Sequence, residues 1–234
     1  MNELLTGLAA GAGGLWGLSR GLARLGRDPG RPPQLYEYFL DNFWFETTDL
    51  EHQEINEPLR GSHKADIVIL GGGFTGLSSA YNLRRRFPDK KIVVLEGACC
   101  GYGASGRNGG FAGAGIPGLM KYVEKMGPEA GRRAYDASFY GLEQIKEVIA
   151  EHAEECDFEE KGELHAAMSD EQAKYLEKEC ETYKSMGFAA DLVQGKELEA
   201  EVRSPRYVAA MKFPWGAMLN PAKLARGMKR VVES

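Results

Sequence analysis

Paired cysteines of the C-x-x-C kind are missing from this chain. Its four cysteines, Cys99, Cys100, Cys156 and Cys180, form neither a metal-ligand pattern nor a disulfide framework. The four histidines, His52, His63, His152 and His165, are scattered, with no H-E-x-x-H among them, so zinc chemistry has no sequence support. No basic stripe is present: the net charge is −5, and the one long single-sign stretch, Glu151 to Glu163, is acidic and suits a solvated helix end. A nucleic-acid surface is therefore not expected. So few and scattered thiols fit a reducing, cytoplasmic setting. Cys99 and Cys100 suit small half-buried positions better than a redox role.

Long apolar runs are also lacking. The stretch Leu4 to Leu18 is apolar and glycine-rich but falls short of the ~20 residues that a membrane-spanning helix needs. Positive charge follows it, at Arg20, Arg24, Arg27 and Arg31, instead of preceding it as in a secretory signal. Membrane contact by residues 1–25 through a surface-lying helix is conceivable. A packed or mobile extension is the preferred reading. Residues 1–34 form an N-terminal extension closed by Asp28-Pro29-Gly30-Arg31-Pro32-Pro33. The aromatic cluster Tyr36, Tyr38, Phe39, Phe43, Trp44 and Phe45 then suits a segment packed against the domain.

What the chain has in quantity is glycine, 30 of 234 residues, crowded into residues 7–30 and 71–118. The second crowd follows Ala65 to Leu70, a nearly continuous apolar run expected to be a strand buried on both faces. A helix is expected from about Thr75 to Arg86, with Leu77, Ala80, Tyr81 and Leu83 inward. A second strand, Lys91 to Leu95, completes a βαβ unit. Gly101 to Gly118 reads as a loop. A long helix follows from Pro128 to about Cys156, then a strand from Glu163 to Met168 and a helix capped by Ser169 and closed at Gly187. Short elements are expected at Asp191 to Val193, Lys196 to Val202 and Tyr207 to Lys212. A last helix opens at Asn220-Pro221, with no strand after it to pack on. The sequence reads like the front half of something longer.

The central motif is Gly71-Gly72-Gly73-Phe74-Thr75-Gly76, a G-x-G-x-x-G between strand and helix. Gly71 turns the chain, Gly73 lets a pyrophosphate approach the backbone, and Gly76 lets the helix lie near the strand. The helix start favours a phosphate there. Glu96, 25 positions after Gly71 at the end of the second strand, is placed to accept from ribose hydroxyls and to repel a 2′-phosphate. A dinucleotide is the expected ligand. NAD and FAD sites share this fingerprint, and the deciding segment is Gly101-Tyr102-Gly103-Ala104-Ser105-Gly106-Arg107-Asn108-Gly109-Gly110-Phe111.

Residues Ala65 to Phe111 resemble the FAD-dependent amino-acid and amine oxidases of the D-amino-acid oxidase superfamily, most of all the gamma-glutamylputrescine oxidase-like branch. The motifs that carry the likeness are Gly-Gly-Gly-Phe-Thr-Gly-Leu-Ser-Ser-Ala, Val-Leu-Glu and Gly-Tyr-Gly-Ala-Ser-Gly-Arg-Asn-Gly-Gly. Weaker likeness runs through Asn42 to Thr47, Gly162-Glu163-Leu164 and Leu219 to Leu224, with Asn220 where the family usually has histidine. The resemblance implies FAD, and hydride transfer to flavin from the carbon beside an amine, giving an imine that water hydrolyses. It implies that Gly71, Gly73, Phe74, Thr75 and Gly76 hold the pyrophosphate and Glu96 the ribose. Ala104, Ser105, Arg107, Asn108, Gly109 and Gly110 would line the pyrophosphate and flavin. It points to no catalytic acid or base.

The expected fold class is α/β: a Rossmann-like FAD-binding βαβ domain over residues 35–125, with part of an α+β substrate domain over 126–234. The expected function is an FAD-dependent oxidoreductase acting on a small amine or amino acid. Two alternatives stay open. An NAD-dependent dehydrogenase would need a catalytic His, Lys or Tyr soon after the second strand. A non-catalytic truncated flavoprotein subunit would bind a partner chain, such as one carrying the C-terminal half.

Overall fold

The computed structural model describes residues 42–48, 56–116, 118–152 and 155–234. Leu40–Gln53 and His63–Ser234 make one compact unit. A second unit comprises Met1–Phe39 and Glu54–Ser62, of which only residues 56–62 are described, without helix or strand. The expected extension, its membrane-surface reading and residues Tyr36 to Phe39 lie outside the described residues.

In chain order the elements are α1 (Phe43–Glu46), β1 (Ile67–Leu70), α2 (Phe74–Arg86), β2 (Ile92–Leu95), β3 (Phe111–Ala112), α3 (Leu119–Met126) and α4 (Pro128–His152). There follow β4 (Glu159–Glu160), β5 (Glu163–Ala167), α5 (Asp170–Ser185), β6 (Asp191–Val193), α6 (Gly195–Glu201), β7 (Ala209–Phe213), β8 (Ala217–Met218) and α7 (Pro221–Glu233). The mixed α/β class is as expected.

β1 and β2 pair in parallel, from Ile67 opposite Ile92 to Leu70 opposite Leu95, and α2 connects them. Ile67, Val68, Ile69 and Leu70 supply the β-branched and apolar residues a strand favours. The expectation of burial on both faces fails. Val68 is 54% and Leu70 82% exposed, while Ile67 and Ile69 are half-buried. Among the described residues this sheet has two strands, and nothing layers its second face. α2 ends in Arg84, Arg85 and Arg86, whose charges complement the negative end of the helix.

A second sheet, β5–β7–β6, is antiparallel, with Glu163 opposite Phe213 and Val193 opposite Ala210. α5 starts as the sequence indicates. Ser169 Oγ accepts from Gln172 N at 3.3 Å, and Gln172 Oε1 accepts from Met168 N at 2.7 Å. It ends before Gly187, whose φ of 81° is the left-handed conformation that suits a helix terminus. Leu176, Cys180 and Tyr183 turn inward as expected.

α4 joins two cores. Near its start Tyr135 packs with Tyr183, Met186, Phe188, Met211 and Phe213. Farther along, Leu142 and Val148 pack with Leu77, Tyr81, Leu224 and Met228. The Tyr135 ring lies 4.7 Å from Phe188 and 5.3 Å from Tyr183, and its hydroxyl donates to Ala114 O at 2.6 Å. Tyr135→Phe would leave that buried carbonyl without its donor. Urea unfolding should show a loss of about 1–3 kcal/mol, with the fold retained.

α7 packs on α2, an earlier helix, and not on a following strand. It buries Leu224, Ala225, Met228 and Val231 in the core that holds Leu77 and Tyr81 of α2. Asn220, 2% exposed, caps it by accepting from Ala222 N and Lys223 N, both at 3.1 Å. A third sheet, β3–β8–β4, has strands of two residues each and was not expected from sequence.

Candidate functional site

The turn after β1 is closed by β2. Gly71 adopts φ 99° and its N–H donates to Leu95 O at 2.8 Å, extending the ladder past Leu70. One residue on, Gly72 N–H donates to Glu96 Oε2 at 2.7 Å, while Ala98 N–H donates to Glu96 Oε1 at 2.9 Å. The carboxylate expected near the glycine turn is therefore bonded to it. It remains exposed, and its oxygens retain lone pairs for further donors.

Gly76 sits in the first turn of α2, and a side chain there would overlap the Gly71 carbonyl oxygen. This is the close helix–strand approach the motif predicts. The missing Cβ of Gly73 points at Ser105 Oγ, 2.8 Å away, and that hydroxyl accepts from Phe74 N at 2.9 Å. As an acceptor here, the Ser105 hydroxyl keeps its proton for another acceptor. Gly73 supplies no side-chain cap to α2. The first N–H groups of any helix lie outside its own ladder, so this end suits an anion. Thr75 is exposed beside it.

The glycine-rich loop is more ordered than expected. Ala104–Gly106 form a 3-10 turn. Arg107 is drawn into the loop: Nε donates to Tyr102 O at 2.7 Å, and the guanidinium lies 5.0 Å from the Phe45 and Tyr102 ring centroids. Asn108 Nδ2 donates to Ser105 O at 2.9 Å, and Asn108 Oδ1 accepts from Gly110 N at 2.9 Å. Gly110, at φ 77°, ties the loop to the segment after β8: its carbonyl oxygen accepts from Leu219 N–H at 2.9 Å. Gly109 lies exposed between them.

Thus Gly71, Gly73, Phe74, Gly76, Glu96 and Ser105 come together at one turn. Asn108, Gly109 and Gly110 instead lead away from it toward β3. Sequence reasoning missed the residues that fix this loop. Trp44 Nε1 donates to Asn108 O at 2.6 Å, and the segment carrying Trp44 is itself tied to the start of α7, where Asn220 Nδ2 donates to Thr47 Oγ1 at 3.3 Å. The signal was available in Trp44, since an indole N–H seeks an acceptor. Gly72 was also unassigned, yet its N–H holds Glu96 and its missing Cβ makes room for Cys100 Sγ, 2.7 Å away.

Cys99 and Cys100 are half-buried, as expected. Burial raises both thiol pKa values, that of Cys100 to about 11 with help from the Glu96 charge, so neither is a ready nucleophile near neutral pH. Among the described residues no cluster of three histidine, cysteine or carboxylate groups could hold a metal ion. No described helix is long and apolar enough to cross a membrane.

Comparison with known proteins agrees with this geometry. The chain is 35% identical over 173 residues to gamma-glutamylputrescine oxidoreductase of Escherichia coli, covering 73% of this chain and 40% of that protein. It is 29% identical over 198 residues to the probable oxidoreductase OrdL of Haemophilus influenzae, covering 83% and 45%. Among solved structures, glycine oxidase of Geobacillus kaustophilus superposes with a TM-score of 0.56 at 20% identity, covering 74% of this chain and 45% of that one, which shows the shared fold. The chain thus spans less than half the length of these relatives. Residues 66–234 match the FAD-dependent oxidoreductase family, well over half of the sequence, and the chain belongs to that family.

Proposed function

We propose that the turn at Gly71 to Gly76, with Glu96 and Ser105, holds the ADP half of FAD. The whole protein then oxidises a C–N bond of a small amine or amino acid. The observation that carries the reading is the bond from Gly72 N–H to Glu96 at 2.7 Å, which fixes a carboxylate beside a helix start whose N-cap, Gly73, has no side chain. The residues present fit the group. Glu96 accepts from the ribose hydroxyls, Ser105 donates to a phosphate oxygen, and the first turn of α2 offers N–H groups to the pyrophosphate. Asn108, Gly109 and Gly110, tied to Trp44 and Leu219, carry the lining onward beside the flavin. Ala104 and Thr75 border it, and Arg107 braces the loop from behind.

FAD held there would supply the electron acceptor for oxidation at the carbon beside the amine. Residues 126–234 rest on the nucleotide-holding part through α4 and α7, which pack Leu142 and Leu224 against Leu77 of α2. The relative 35% identical to this chain, named gamma-glutamylputrescine oxidoreductase, supports an amine or amino-acid substrate.

The test is calorimetric titration of ADP and FAD, with absorbance of the FAD-loaded protein. Saturable ADP binding and a bound-flavin spectrum are expected. Ser105→Ala should weaken ADP about tenfold, the loss of one charge-assisted bond. A folded chain that ignores ADP and FAD, or that carries NAD instead, rejects the proposal.

A further inference from the structure

Two adjacent glycines, Gly109 and Gly110, follow Asn108 in the loop that leads from Ser105 to β3. Glycine lets an adjoining peptide face either way at little cost, so the direction of each peptide must be settled by a bond. Asn108 settles one of them, since its Oδ1 accepts from Gly110 N–H at 2.9 Å. The peptide between Asn108 and Gly109 is settled from outside the loop: Trp44 Nε1 donates to the Asn108 carbonyl at 2.6 Å. A trans peptide is planar, with its C=O and N–H on opposite sides. Holding the carbonyl toward Trp44 therefore turns the Gly109 N–H the other way. That N–H has no acceptor among the described residues, and Gly109 is exposed.

The indole suits this task. Its nitrogen donates one hydrogen bond and accepts none, so a flipped peptide would set N–H against N–H. Trp44 is itself well held. Asn42 Oδ1 accepts from Trp44 N at 2.9 Å and caps α1. Buried Phe45 anchors the same short helix between the Arg107 and Arg226 guanidinium groups, 5.0 and 5.7 Å from its ring centroid. Thr47 ties it to Asn220 at the start of α7. The Trp44 ring lies so close to Gly110 that a Cβ there would come within 3.0 Å of Cζ2. On either side of the glycine pair, Asn108 and Phe111 line a cavity of about 410 Å3 that reaches Phe74 at the start of α2. Space for a ligand therefore runs from the proposed pyrophosphate turn to this loop.

We propose that Trp44 is a positioning residue for the ring end of the cofactor. Its bond to the Asn108 carbonyl sets the Gly109 N–H as a fixed donor for a flavin carbonyl oxygen or unprotonated ring nitrogen. The inference rests on the reading that FAD binds here, and extends it to a residue outside the nucleotide motif. A donor already aligned costs less to engage than one that must be ordered on binding.

Trp44→Phe keeps an aromatic ring against Gly110 and removes the donor. Calorimetric titration of the full chain should show ADP affinity within about twofold of the parent and FAD affinity lower by about tenfold. The visible absorbance of the bound flavin should move toward that of free FAD. In amide NMR spectra of the parent, the Gly109 signal should shift with FAD and stay in place with ADP. A loss shared equally by ADP and FAD, or no loss of either, makes Trp44 a structural prop and overturns the inference. Should the variant fail to fold, the Gly109 signal of the parent carries the test, and its silence toward bound FAD overturns the inference. A parent chain that ignores ADP sinks the cofactor reading itself. ADP binding together with a Gly109 signal indifferent to FAD sinks the positioning role alone.

Discussion

Gly76→Ala should destabilise the chain by about 3 kcal/mol, the upper end of overpacking costs, and abolish ADP binding. The added methyl would meet a backbone carbonyl, that of Gly71, and no rotamer change can move it away. Relief requires α2 to lift from β1, which pulls Leu77 and Tyr81 from the core they share with α7. The same shift turns the first N–H groups of α2 from the proposed phosphate position. A chain of this size should lose roughly 6–12 °C in melting temperature. Gly97→Ala is the matched control, since nothing stands within 4 Å of its Cβ position. Melting of the Gly76 variant within about a degree of the parent would contradict the packing argument.

Glu96→Gln tests the clasp between the two strands. Both carboxylate oxygens accept backbone N–H bonds, from Gly72 and Ala98. A glutamine keeps one acceptor and sets an NH2 donor against the other N–H, so one bond of the charge-assisted class is lost. ADP affinity should fall about 10- to 100-fold, or ~1.4–2.8 kcal/mol. Discrimination against adenosine 2′,5′-bisphosphate should narrow, because the charge that repels a 2′-phosphate is gone. Calorimetry with both ligands reads the two effects. Unchanged ADP affinity would reduce Glu96 to a strand clasp with no part in binding.

The βαβ unit was legible because each part has its own signal: two β-branched apolar runs, glycines at the turn, and an amphipathic stretch ending in three arginines. The caps at Ser169 and Asn220 were legible for the same reason, a polar residue at one defined place. The sheet β3–β8–β4 was not, since two-residue strands are too short to show a period. α3 was missed because it opens after Gly118, at φ 72°, with no capping side chain to announce it. A continuous apolar run reads as double-sided burial, and in β1 only one side is covered. Within the candidate site, the approach of Glu96 to the glycine turn was legible from spacing alone. Ser105 on Phe74 and Trp44 on Asn108 were not, because those partners are 31 and 64 positions apart and only the folded chain brings them together.

The uncovered side of the parallel pair has a practical meaning. Val68 and Leu70 offer grease to any passing molecule, and the outer margins of β1 and β2 can hydrogen-bond to another extended segment. Two paired strands are marginal on their own, so among the described residues this is the corner with most room for a further strand.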